Sequence, residues 1–431
     1  MNYALKNMFI LDGHENMEAV SGKAIIVQND KIKEIVSEEN IPEGIRTVDL
    51  GGAYILPGLI NLHVHIPSAG KAPKSAKSID YEKIAKLLRF GVVRTVVKKM
   101  CENYAKQELL SGTTTIRAVG GVLDFDTWLR DKINSGAAQG PRILASNYAV
   151  SVPGGHMTGS VALPTNSEEE AAKMVEDLSK TKVDQIKLMI TGGVLDAEVP
   201  GEPGVLKMPA SYVKAACDKA HELGYKVAAH VESTEGMIVA LENGVDTIEH
   251  GGKPNAEVID LFKKTGSVLV ATLSPAAPFA YMDEPVPGMT EMYLENGKAL
   301  FEHMRECVNT CLKEGITVGL GTDTGCPYTT HYDMWRELWY FTRICKVTPN
   351  YAIHTATEIN SKIAGISEMT GSIDAGKSAD FMVVKGNPLE DLEVLRNPEK
   401  VIFRGEIIDS PKPKKFADVD AALDQIMKVC K

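Results

Sequence analysis

Residues 184–193 read DQIKLMITGG. Ile186, Leu188, Met189 and Ile190 give the run the look of a buried strand, yet Lys187 stands among them with only Asp184, three positions back, as an acidic neighbour. A lysine is almost never fully buried unless something pairs with it. Either its ammonium snorkels out along apolar surface at the strand end, or the strand delivers the amine to a site.

Runs of the same kind recur on both sides. TTTIR (113–117), RILAS (142–146), KVAAH (226–230), DTIEH (246–250), SVLVATL (267–273) and TVGLGTD (317–323) are strand candidates, and AYILPGLINLHVH (53–65) precedes them as the first. Helical stretches such as SYVKAACDKAHELG (211–224), ended by a glycine cap, lie between them. Eight apolar strands alternating with helices predict an α/β fold, a (β/α)8 barrel whose parallel strands are covered on both faces.

The ends of the chain have another character. AIIVQ (24–28) and KIKEIV (31–36) flank Asn29-Asp30 as a hairpin, and DFMVV (380–384) and VIFRGEII (401–408), with a turn at Arg404-Gly405, match them near the other end. Segments 1–55 and 365–410 are therefore expected to form one small sheet domain around a barrel of residues 56–364. Residues 411–431 hold the proline-flanked PKPKK linker and a helix with Val419, Ala422, Leu423, Ile426, Met427 and Cys430 on one face. That face is expected to pack back on the domain, with partner docking as the alternative.

Composition narrows the function classes. The chain of 431 residues is 44% hydrophobic and 24% charged, as in ordinary globular proteins. Its net charge of -10 and the lack of a basic stripe argue against a nucleic-acid partner. No signal peptide and no membrane-spanning run is apparent. Seven scattered cysteines, an odd number, suggest reduced thiols and a cytoplasmic location. Cys307 and Cys311 share a helix face and read as structural.

In such a barrel, functional groups gather where strands end. The first strand ends His63-Val64-His65, an alternation that puts both imidazoles on one face. The fifth ends at His230, the sixth at His250 and the eighth at Asp323, while the fourth carries Lys187. Four imidazoles and a carboxylate suit a divalent cation such as Zn²⁺. Burial and nearby cations both disfavour a charged Lys187. A neutral amine can react with CO₂ to give a carbamate, an anion with two oxygens able to bridge two metals.

This pattern resembles the amidohydrolase superfamily in its binuclear, carboxylated-lysine form. The resemblance covers nearly the whole chain, through LPGLINLHVH (56–65), IKLMITGGV (186–194), EHGG (249–252), GTDTG (321–325) and HTATEINSKIAGI…GSIDAGKSADFMVV (354–384). It implies that the terminal segments form a composite β-sandwich. IKLMITGGV and GGHMTG (154–159) look closest to the prolidase-like branch, with its amidases and carboxypeptidases, whose members cleave peptide or amide bonds next to a carboxylate-bearing residue. The chain departs from that branch after strand two, where Ala118 follows Arg117, and after strand five, where Val231-Glu232-Ser233 replaces an aromatic.

The resemblance implies His63, His65 and Asp323 on a buried metal, His230 and His250 on an outer one, and carboxylated Lys187 bridging. Two ions, expected to be Zn²⁺, bring four positive charges; carbamate, aspartate and a bridging hydroxide remove three, so about one remains for an anionic or polarised carbonyl substrate. Asp323 is the expected catalytic proton acceptor in cleavage of a peptide-like or N-acyl amino acid amide. Arg117 is expected either to grip a substrate carboxylate or to pair inside the barrel as a structural arginine, and His156 to polarise the carbonyl or hydrogen-bond the substrate. The loop 274–296 is a candidate pocket wall, with a plain surface loop as the alternative. The expected partner is a small molecule, with homo-oligomerisation open. The rivals are a single-metal imidazolonepropionase-like enzyme or deaminase, and a non-catalytic scaffold.

Overall fold

In the computed structural model, residues 2–72, 87–282 and 289–430 are described. The chain opens with β1 (Asn2–Ile10), β2 (Lys23–Gln28), β3 (Lys31–Ser37) and β4 (Arg46–Pro57). The predicted hairpin is β2–β3, and its turn carries Asn29 at φ 57, a left-handed position that asparagine tolerates.

The run AYILPGLINLHVH, expected as one strand, is two. It divides between β4 and β5 (Leu59–Val64) because neighbouring residues donate to different sheets. Gly58 N–H bonds Asp380 O at 2.9 Å, and Leu59 N–H bonds Gly112 O at 2.9 Å. From β5 the barrel proceeds through β6 (Thr113–Ala118), β7 (Arg142–Leu144), β8 (Ala149–Ser151), β9 (Ala162–Pro164), β10 (Ile186–Met189), β11 (Val227–Val231), β12 (Thr247–His250), β13 (Val268–Ala271) and β14 (Val318–Leu320). All pairings among them are parallel, in two arcs, β5-β6-β7 and β14-β13-β12-β11-β10-β8-β9.

Two seams close the arcs. Asp184 N–H donates to Ala145 O at 2.8 Å, and the Asp184 carboxylate accepts Ala145 N–H at 2.8 Å. On the other side Asp323 N–H donates to His63 O at 2.9 Å and His65 N–H to Thr324 O at 2.7 Å. Gly321 permits that approach, since a Cβ there would lie 2.5 Å from the Cβ of His63. The barrel seam and the predicted ligands thus coincide.

The chain then returns to the first sheet with β15 (Phe381–Val384), β16 (Lys400–Phe403) and β17 (Glu406–Asp409). β15 pairs antiparallel with β4, so strands from both ends form one seven-stranded sheet, β17-β16-β15-β4-β1-β2-β3. The turn at Arg404-Gly405 has φ of 50 and 75. The final helix, Ala417–Val429, buries Val419, Leu423, Ile426 and Met427 against the chain itself. Buried Arg336 donates to Asp424 Oδ1 at 2.7 Å and Arg396 donates to the same oxygen at 3.0 Å, which anchors it.

Segment 274–296 is not a single loop. It contains a short helix, Ala277–Tyr281, and the start of the helix Glu291–Lys313, which Thr290 caps by accepting Tyr293 N–H at 3.2 Å. Residues 283–288, part of the expected pocket wall, lie outside the described residues. Cys307 and Cys311 are buried in the core on the Glu291–Lys313 helix. Among the described residues, no helix is long and apolar enough to cross a membrane.

Candidate metal centre

The C-terminal ends of β5, β11, β12 and β14 place His63, His65, His230, His250 and Asp323 in one mouth. Ring centroids lie 4.7 Å apart for His63–His250, 4.8 Å for His230–His250 and 5.4 Å for His63–His65. Asp323 Oδ1 is 3.4 Å from His63 Nε2 and 3.3 Å from His65 Nε2. His250 and Asp323 have φ of 70 and 58, left-handed values for residues with side chains. Each such residue costs about 1–3 kcal/mol and persists where the surroundings impose it, commonly at functional sites.

Each imidazole has a partner for one nitrogen and presents the other. His65 Nδ1 is 2.9 Å from Gly120 O, and His230 Nε2 is 3.1 Å from Gly192 O. A carbonyl only accepts, so those nitrogens carry the proton, and His65 Nε2 and His230 Nδ1 hold free lone pairs. His63 Nδ1 meets Glu249 Oε2 at 2.8 Å, and His250 Nδ1 meets the Thr272 hydroxyl at 2.7 Å. Metal-ligating histidines are characteristically oriented this way by a carboxylate, carbonyl or hydroxyl.

Lys187 is fully buried on β10, and its Nζ has no hydrogen-bond partner. Burial pulls its pKa down to about 8, against the opposing fields of Glu249 and Asp323. Asp323 Oδ1 is likewise buried and unpartnered. Burial alone would raise the Asp323 pKa, but His63, His65 and His250 hold it well below the usual carboxylate range. Burial, reinforced by Lys187, lowers His63 to about 4.

Two groups of donors converge closely enough to share an ion: His63, His250 and Asp323, and His230, Glu232 and His250, with ligand atoms within 4.8 Å of one another in each group. Nitrogen and oxygen donors with orphaned charges between them fit a zinc-type cation. The structure thus assembles the five histidine and aspartate positions read from the strand ends, with Lys187 within their electrostatic field.

Of the two readings of Arg117, the structure shows the pairing inside the barrel. Its Nη2 donates to Glu249 Oε1 at 2.6 Å, its Nη1 to Thr247 Oγ1 at 3.1 Å and its Nε to Leu62 O at 2.7 Å. All three nitrogens donate inside the barrel and the side chain is buried, so the guanidinium is paired with Glu249 rather than presented to a substrate carboxylate. His156 does reach the mouth. Its ring stacks on His230 with centroids 4.0 Å apart, and its Nδ1 bonds Asp196. Gly193 makes room for the stack, since a Cβ there would lie 2.7 Å from the His156 ring.

Sequence reasoning missed Glu249, although it stands in DTIEH. Burial raises the Glu249 pKa, but Arg117 and His63 outweigh burial and hold it below the ordinary range. A charged side chain inside a four-residue strand was the available signal, the same one that marked Lys187. Glu232 and Cys326 were also missed at the mouth; the Cys326 thiol donates to Asp323 Oδ2 at 3.2 Å.

Fold and mouth together define a (β/α)8 barrel with a candidate metal-ligand set at its strand ends. The chain belongs to the amidohydrolase family, whose model matches residues 54–408, and the NagA composite domain matches residues 2–55. A Bifidobacterium longum structure provisionally assigned as a prolidase shares 34% identity at a TM-score of 0.86, covering 99% of this chain and 98% of that one. A Xaa-Pro dipeptidase structure with bound methionine in its active site shares 27% identity at a TM-score of 0.83, covering 95% and 100%. Aspergillus niger ochratoxinase is 25% identical over 320 residues, and the match spans 68% of this chain and only 64% of that relative's length. Flavobacterium johnsoniae imidazolonepropionase is 22% identical over 386 residues, 86% of each.

Proposed function

We propose that the chain hydrolyses an amide bond in a peptide-like or N-acyl amino acid substrate at a two-ion centre. His63, His65 and Asp323 hold the inner ion, His230 and His250 the outer, and carboxylated Lys187 links them. The observation that carries the reading is the unpartnered, fully buried Nζ of Lys187 among imidazoles and carboxylates. As an ammonium it makes no hydrogen bond, and the fields of Glu249 and Asp323 do not outweigh its desolvation. As a carbamate it becomes the anion that two cations require.

Two zinc ions, when bound, supply the Lewis acidity that polarises the scissile carbonyl and acidifies the attacking water. Asp323 accepts the proton of that water and returns it to the leaving nitrogen. His156, backed by Asp196 and stacked on His230, hydrogen-bonds the substrate from the wall of the mouth. The Xaa-Pro dipeptidase relative supports a peptide-like substrate.

The imidazolonepropionase relative keeps a single-metal reading in view, and that reading leaves Lys187 without a role. The test is a screen of the zinc-loaded protein on N-acyl amino acids, prolyl dipeptides, lactams and aryl amides, with the metal per chain counted. Two ions per chain with turnover of an acyclic amide is expected. One ion per chain with turnover of cyclic amides alone overturns the proposal.

A further inference from the structure

Glu232 has no part in the scheme above. It follows His230 by two positions at the end of β11, so strand alternation turns both side chains into the same mouth. Its backbone is fixed from two directions. Glu232 N–H donates to Thr191 Oγ1 at 3.1 Å, and Gly204 lies so close that a Cβ there would come within 2.4 Å of the Glu232 carbonyl carbon. The side chain is itself buried at the mouth.

That carboxyl feels the charge of Lys187 only from beyond ion-pair distance. Its Oε2 is buried without a hydrogen-bond partner, and among the described residues the one basic side chain within 4.0 Å is His230, whose Nε2 stands 3.9 Å from Oε1. A carboxylate enclosed in this way is costly unless a cation or a set of donors satisfies it. One ligand atom each from Glu232, His230 and His250 lie within 4.8 Å of one another. Two imidazoles and a glutamate form a donor set that zinc accepts.

We infer that Glu232 is a seventh protein ligand of the centre, on the outer ion beside His230 and His250. This rests on the two-ion reading proposed above. The assignment has a consequence for substrate choice. One further negative charge cancels the residual positive charge of the centre, so attraction falls on a polarised carbonyl rather than on a free anion. The commitment of Arg117 inside the barrel points the same way.

The test compares the wild-type chain with Glu232→Gln and Glu232→Asp, each stripped of metal and titrated with Co²⁺ in bicarbonate. Ions per chain are counted by elemental analysis after dialysis, and the visible d–d absorption is recorded at each step. Wild type is expected to take two ions. Glu232→Gln should take the first normally and the second at least about tenfold more weakly, the loss that follows even from removing a partner of a ligand. The absorption of that second ion should change. Glu232→Asp, which keeps a carboxylate, should recover part of the affinity.

Unchanged affinity and spectrum in Glu232→Gln overturn the assignment, as does an equal loss of both ions. Intact metal binding with selective loss of turnover on amine-bearing substrates also overturns it and makes the carboxylate a substrate contact. A wild-type stoichiometry of one is a different failure, because it removes the two-ion reading and the inference with it.

Discussion

Glu249 Oε2 lies 2.8 Å from His63 Nδ1, while the other oxygen of the same carboxylate lies 2.6 Å from Arg117 Nη2. The three residues come from β12, β5 and β6, so one relay ties three barrel strands together beneath the mouth. The carboxylate keeps a proton on His63 Nδ1 and leaves Nε2 facing Asp323 as a lone pair.

Glu249→Gln should therefore lower metal affinity by about 10–100-fold, read by competition with a chelator. A glutamine has one acceptor oxygen. If it serves Arg117, its amide N–H faces His63 and drives the ring proton to Nε2, where a ligand is needed. Unchanged affinity would show that the relay does not set the tautomer.

Arg117→Met should damage the fold and leave specificity alone. It strands Glu249 as a buried charge, a loss worth about 3–5 kcal/mol in denaturant unfolding. kcat/KM should fall by the same factor on carboxylate-bearing and carboxylate-free amides. A loss confined to carboxylate-bearing substrates would return Arg117 to the grip on a substrate carboxylate.

The contrast between these residues shows what a sequence can carry. His63, His65, His230, His250 and Asp323 were legible because strand position and strand period are local properties, and both point a side chain at the mouth. Lys187 was legible because a charge inside an apolar run contradicts its surroundings. Glu249 and Arg117 break the pattern in the same way, but their partners are 132 positions apart in sequence and only the closed barrel makes them a pair. The division of residues 53–65 was hidden for a related reason, since both halves are apolar and only the hydrogen-bond partners of Gly58 and Leu59 differ.

Asp323→Asn should abolish turnover while the protein keeps most of its metal. The amide oxygen can still occupy the place of Oδ1 between His63 and His65, but an amide does not accept and return a proton at neutral pH. Activity assays paired with elemental analysis decide it. Turnover that survives the change removes Asp323 from proton transfer.

Lys187 makes a prediction about the metal-free, CO₂-free protein. Its pKa is about 8 in the fold against 10.5 for an ordinary lysine. Below pH 8 both folded and unfolded chains carry the ammonium, so folding bears the full net cost of burying it, about 3 kcal/mol for this difference. Between pH 8 and 10.5 the unfolded chain holds more protons, so stability rises with pH through that window and the cost is gone above it. Lys187→Met keeps a similar shape without the charge and should be about 3 kcal/mol more stable than wild type at pH 7 in chelator and degassed buffer. The advantage should shrink from pH 8 and vanish above pH 10.5. Zinc with bicarbonate should reverse the order, because only wild type can then form the carbamate. Urea unfolding at pH 7, 9 and 11 in both conditions reads all of this, and a methionine variant no more stable than wild type at pH 7 without metal would mean that the amine finds a partner in the apo fold.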